Sequence, residues 1–231
     1  MMNVKNNAIE DIQESFRRFA NQILKQLELL DTIMNSKEPK ISDSQLKEFR
    51  ENEKAFDQFE IEISEKFINS LVLYKPVASD LRKIMAIYRM SINLERIGDL
   101  VMNIVKTISK MGNLKIYSSM SDVIYNMYVS SINMVEKSLL SFSNNDKEFA
   151  IWTIKNDSSI DTMNHKLLSN NIAKNSDLSE DSKNTLLEFM NLRNIITHIE
   201  RIADNATNIA EASIYSQDGT DLRHTNIGNN K

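Results

Sequence analysis

Three observations predict an all-α fold of six long helices arranged as two tandem three-helix bundles. Gly and Pro are scarce, 4 and 2 in 231 residues, whereas turn-rich β architectures need many of both. Apolar residues recur at steps of three and four over long stretches, which is the helical period. One string is written twice: "LERIGDLVMNI" (94–104) returns as "IERIADNATNI" (199–209), with six of eleven letters identical and the copies 105 residues apart. Such self-similarity marks a duplicated structural unit. The units are expected over 1–112 and 113–216, with 217–231 a disordered tail of polar, Gly- and Asn-bearing sequence.

The first helix is expected over 4–34, where Ile9, Ile12, Phe16, Phe19, Ile23, Leu27 and Leu30 form one apolar stripe. "NSKEPK" ends it, because Pro39 cannot continue a helix. Ser42 with Gln45 reads as a capping box. A second helix then runs to about Tyr74, with Leu46, Phe49, Phe56, Phe59, Ile63, Phe67 and Leu71 on its apolar side. "YKPVASD" breaks it, and Pro76 suits the first turn of a third helix over 77–111, with Gly112 at its C′ position. The fourth helix is expected over 119–140 and the fifth over 146–174, separated by "SFSNND". "NSDLSED" is a turn in which Asp177 and Glu180 form an N-cap pair. A sixth helix follows, to about Tyr215.

Composition narrows the functional classes. There is no cysteine, which removes disulfides and thiolate metal sites and fits a reducing compartment. Any metal must then be held by carboxylate, carbonyl, imidazole or water, and with three histidines imidazole is a minor resource. The net charge of −4 and the lack of a basic block leave no footprint for nucleic acid. No apolar run is long enough to span a membrane and "MMNVKNNAIEDIQESF" has no signal-peptide character, so a cytoplasmic protein is expected, meeting the membrane only through partners.

The repeated string carries two acids four residues apart, Glu95/Asp99 and Glu200/Asp204, on one helix face. The preceding helix of each unit carries another such pair: Glu53/Asp57 and Asp157/Asp161. Consecutive helices joined by a short turn pack antiparallel, so residues equidistant from the turn share a height. Asp57 and Glu95 are each 19 residues from Pro76, and Glu53 and Asp99 are each 23. In the second unit, Asp161/Glu200 and Asp157/Asp204 share the midpoint 180.5. Four carboxylates should therefore converge in each unit, roughly 28 Å from the turn at about 1.5 Å per residue. Gathered like charges repel unless a cation, basic side chains, or rotation of the faces into water relieves them. An isolated ExxxD is ordinary solvated surface; four of them mirrored about two turns fit Mg²⁺, Mn²⁺, iron, Ca²⁺ or Zn²⁺. Arg96 and Arg201 point off this face, with salt bridges to neighbouring helices the favoured reading. Asn103 and Asn208 lie at its edge, as outer-shell hydrogen-bonders or as plain packing groups.

"KPVASDLRKIMAIYRMSINLERIGDLVMNI" (75–104) and "RNIITHIERIADNATNIAEASIY" (193–215) resemble the signature of the PhoU family of phosphate-uptake regulators. The resemblance covers both halves up to the tail. It implies two tandem three-helix bundles in a cytoplasmic, non-enzymatic protein. That protein would repress the phosphate-starvation response by linking the ATPase of a phosphate transporter to a sensor histidine kinase. It also implies multinuclear iron or zinc clusters, with manganese or magnesium as alternatives, on Glu53/Asp57, Glu95/Asp99, Asp157/Asp161 and Glu200/Asp204. A homodimer is expected. The second unit departs from the pattern: "SKNTLLEF" replaces "PVASDLR", so Asp80 has no twin. His198 precedes "IER", Asn205 follows the aspartate, and Asn164 stands where the first unit has Glu60. The two sites should not be equivalent, and His198 reads as packing or surface rather than ligand. A di-metal carboxylate enzyme is an alternative, but no Glu has a His three residues later. An interaction scaffold and an accessory protein of a low-affinity phosphate permease are the others.

Overall fold

The computed structural model describes residues 2–112, 114–174 and 182–221, with side chains over 7–112, 114–163 and 184–221. Six helices follow one another: α1 (Met2–Met34), α2 (Asp43–Tyr74), α3 (Ala78–Lys110), α4 (Lys115–Asn144), α5 (Lys147–Lys174) and α6 (Ser182–Asp218). No strand occurs among the described residues. Each element forms for a legible reason. All seven stripe residues of α1 are buried, none more than 8% exposed. The Ser42 capping box is complete: Gln45 N donates to Ser42 Oγ at 3.3 Å and Ser42 N donates to Gln45 Oε1 at 3.0 Å, which satisfies two otherwise orphaned donors.

The helices group as α1–α2–α3 and α4–α5–α6, and the most extensive contact of all joins α3 to α6. α3 is consequently buried over most of its circumference from Ile84 to Ile108, with an exposed stripe through Arg96, Asp99, Asn103 and Lys106. One contiguous cluster of buried apolar residues draws on all six helices. Two contacts between α1 and α4 also cross the repeat boundary. Tyr128 Oη donates to Leu27 O at 2.8 Å in the interior, and Phe16 meets Phe142 edge to face with centroids 5.5 Å apart.

Several boundaries differ from the sequence expectation. Pro76 precedes α3 instead of sitting in its first turn: Lys75 and Ala78 take left-handed φ of 45° and 46°, and Val77 is the N-cap. Gly112 is not left-handed; the positive-φ glycine among the described residues is Gly219, at 75°. α4 starts earlier and ends later than 119–140, and Tyr117 and Ser141, both buried, extend its packed face at the two ends. Ser141 is buried and shares a hydrogen bond of 2.8 Å with Ser213, so polarity there signals helix–helix contact, not a loop. α6 continues past Tyr215, held by Gln217 Nε2 donating to Ser141 O at 3.2 Å and by the Lys147–Asp218 ion pair. Gly219 N then donates to Tyr215 O at 2.9 Å, an αL cap. The start of the tail expected to be disordered is therefore helical or anchored as far as Asp221, which lies 3.8 Å from Arg89. The Asp177/Glu180 cap pair and 222–231 lie outside the described residues.

Candidate functional site

The α2–α3 hairpin brings Glu53, Asp57, Glu95 and Asp99 to one level. Glu95 is pushed up to about 7, first by burial and then by Asp99, Asp57 and Glu60, with Arg96 opposing. Asp99 is raised by burial and by Glu53 and Asp57, with Lys106 and a hydrogen bond from Glu95 opposing. The partners are the ones symmetric about Pro76. The backbone reason for this close approach is Gly98. A Cβ there would stand 2.5 Å from Phe56 Cδ2 and 3.3 Å from Ile23 Cδ1, so any side chain would force α2 away from α3 beside the acids.

In the second unit Asp157, Asp161, Glu200 and Asp204 converge in the same way. Asp204 is pushed up to about 6 by burial, then by Asp157, Glu200 and Asp161, with Arg201 opposing. Asp157 is raised by burial and by Asp161, while Thr207 Oγ1, which donates to its Oδ1 at 3.2 Å, lowers it. All eight sequence-chosen carboxylates thus fall into two groups of four. Among the described residues, no three His or carboxylate side chains stand close enough together to hold a metal ion.

Two members of these faces are not anticipated from the sequence, and a third, Glu60, stands out there only as the counterpart of Asn164. Glu60 adds charge to Glu95, and its place one turn beyond Asp57 was the available signal. Lys106 Nζ lies 3.5 Å from Glu53 Oε1, and Thr207 serves the second face alone. Glu211 stands where the repeat would repeat Lys106, and Met102 where it would repeat Thr207, so the faces are inequivalent, as the sequence departures implied. The salt bridges expected of Arg96 and Arg201 are not made among the described residues. Both are exposed, and Arg96 lines a cleft between α3 and α6. Asn208 lines the same cleft. His198 is half-buried, with Nδ1 enclosed and without a hydrogen-bond partner, and is lowered by burial and by Arg201.

A duplicated three-helix architecture with four acidic residues at one level in each copy defines a tandem helical-bundle protein. The model of the PhoU domain matches this chain twice, over 16–108 and 124–213. The chain belongs to the PhoU family. A phosphate-specific transport system accessory protein PhoU homolog of Burkholderia sp is 30% identical over 75% of this chain and 73% of its own length. The homolog of Aquifex aeolicus is 29% identical over 95% of both. PhoU from Pseudomonas aeruginosa superposes with a TM-score of 0.74 at 22% identity, covering 93% of this chain and 99% of that one. The phosphate transport system regulatory protein PhoU from Streptococcus pneumoniae gives 0.77 at 22%, covering 94% and 98%. Both show the same fold.

Proposed function

We propose that this chain is a non-enzymatic, cytoplasmic accessory protein of a phosphate transport system. It acts as an adaptor between the transporter ATPase and a sensor histidine kinase and represses the phosphate-starvation response. Family membership supports the phosphate connection, and relatives at 28–32% identity carry that accessory name. The transmitted signal is carried by protein contacts, with the two acidic faces as structural cation sites. One observation carries the cation reading: in each unit four carboxylates share a level, and Glu95 and Asp204 are pushed up by burial and by the acids around them. That arrangement is repulsive when ionised and is relieved by a bound cation. Iron or zinc, with manganese or magnesium as alternatives, would be held by Glu53, Asp57, Glu95 and Asp99 in the first unit. Asp157, Asp161, Glu200 and Asp204 would hold it in the second. The metal would tie α2 to α3 and α5 to α6.

The test is elemental analysis of untagged protein prepared without chelators, beside the Asp99→Ala/Asp204→Ala variant. Near-stoichiometric metal in the native chain and its loss in the variant is the expected outcome. Metal at about 100 times its Kd is also expected to add about 2.7 kcal/mol of stability to the native chain. A melting shift on metal addition that is equal in both proteins would sink the site assignment. The adaptor reading is tested by pull-down from cells at high and low phosphate, and recovery of neither transporter nor kinase would overturn it.

A further inference from the structure

Arg82, Arg89 and Arg96 are spaced by seven residues along α3, so they form one stripe with about 10 Å between successive residues. Each meets α6 or the chain returning from it. Arg82 lies beneath Gly219, where a Cβ would be 3.3 Å from its Nε, and that Nε is enclosed with no hydrogen-bond partner. Arg89 stacks over Tyr215 at 4.9 Å, and its Nη1 is 3.8 Å from Asp221 Oδ2. Arg96 is exposed and makes no ion pair among the described residues. Between Arg89 and Arg96 lies a cleft of about 240 Å³, bounded by Asn93 on α3, Asn208 and Glu211 on α6, and Asp221.

We propose that this arginine stripe is a docking surface for an acidic peptide segment of a partner protein, and that Asp221 holds the partner's place in cis. The charge pattern chooses the occupant. Guanidinium forks favour carboxylates by charge-assisted, often bidentate hydrogen bonds, and the chain already seats a carboxylate beside Arg89. That ion pair is long and its side chains are partly exposed, 30% and 39%, so it is weak enough to exchange. On a polyproline II segment residues three apart share a face and lie about 9 Å apart, so carboxylates three apart on such a segment match neighbouring arginines. The left-handed turn at Gly219 lets the chain double back across Arg82, and displacing Asp221 need not disturb α6, which is capped separately by Gly219 N on Tyr215 O.

The experiment is fluorescence anisotropy of a labelled octaglutamate peptide with the full chain at about 20 mM salt, where charge attraction is little screened. Asp221→Asn is expected to bind about two- to fivefold tighter than the native chain, because Arg89 loses the carboxylate that competes with the peptide. Arg89→Gln/Arg96→Gln is expected to weaken binding about tenfold or more. Arg96→Gln alone, which removes no folded-state ion pair, should lose part of that in a chain with an unchanged melt. Arg50→Gln/Arg193→Gln, an equal charge loss elsewhere on the surface, should change affinity less than twofold. The proposal is overturned by absence of saturable binding, by equal losses in the two arginine pairs, or by Asp221→Asn leaving affinity unchanged. Displacement by inorganic phosphate beyond that of sodium chloride at matched ionic strength would also overturn it, in favour of a small-anion site.

Discussion

Glu95 shows what the acidic faces cost the folded chain. Its carboxyl is pushed up to about 7 by burial and by Asp99, Asp57 and Glu60, against about 4.3 in an unfolded chain. Between those values the folded protein holds a proton that the unfolded chain has released. Unfolding then releases protons, so stability falls as pH rises. The contribution is fully present below the unfolded value, is lost progressively up to about 7, and is flat above. Asp204 acts in the same direction up to about 6. Chelator-treated protein is therefore expected to melt at a lower temperature at about pH 7.5 than at about pH 5, and Glu95→Gln should make that decline shallower. A divalent cation favours the ionised carboxylates and should restore the melting temperature at the higher pH. An identical pH profile in native protein and Glu95→Gln would show that Glu95 carries no such strain.

At the level of the helix pair, Gly98 decides how closely α2 and α3 approach. An alanine at this position gains about 1 kcal/mol of helix propensity, but its Cβ would lie 2.5 Å from the Phe56 ring. Both neighbours are packed in the core: Phe56 is 2% exposed and lies tilted beside Phe19 with ring centroids 5.8 Å apart, and Ile23 is fully buried. Overpacking of this kind costs about 1–3 kcal/mol, so Gly98→Ala is expected to be net destabilising by about 1 kcal/mol, and Phe56→Ile should relieve it. The second unit makes the same compromise natively, with Ala203 at the glycine position and Ile160 at the phenylalanine position. Urea melts of the single and double variants check this; a Gly98→Ala protein more stable than the native one would show that the helices separate freely.

The hairpin register was legible because chain distance from Pro76 translates directly into height on two antiparallel helices. The eight carboxylates followed from that arithmetic. What was illegible depended on the opposite repeat. Ser141 reads as loop until Ser213 is brought against it, and the end of α6 reads as tail until Arg89 of α3 stands beside Tyr215 and Asp221. Lys106 was missed because it lies seven residues beyond Asp99, on the same helix face but outside the four-residue acid spacing, and its long side chain reaches across to Glu53.

The whole molecule is two sequence repeats built around one interior. α3 and α6 make the largest helix contact, the buried cluster includes residues of every helix, and Tyr128 and Phe142 reach from the second repeat onto α1. Separation into halves would expose the α3 and α6 faces to water at about 25 cal/mol per Å² of apolar surface, more than a small bundle can withstand. The two repeats are therefore expected to unfold as one cooperative unit. The chain carries a means of testing this: its one tryptophan, Trp152, lies on α5 with Lys137 Nζ 4.5 Å from its ring centre, so its fluorescence reports the second repeat, whereas far-UV circular dichroism reports all six helices. Coincident urea midpoints from the two probes are expected. Ile23→Ala, a fully buried α1 position beside Gly98, should lower both midpoints together, by about 2–5 kcal/mol of stability. If Ile23→Ala moved the circular dichroism transition while the Trp152 transition stayed in place, the repeats would be thermodynamically separate bundles. Contact between α3 and α6 would then be an interface between domains and not a core.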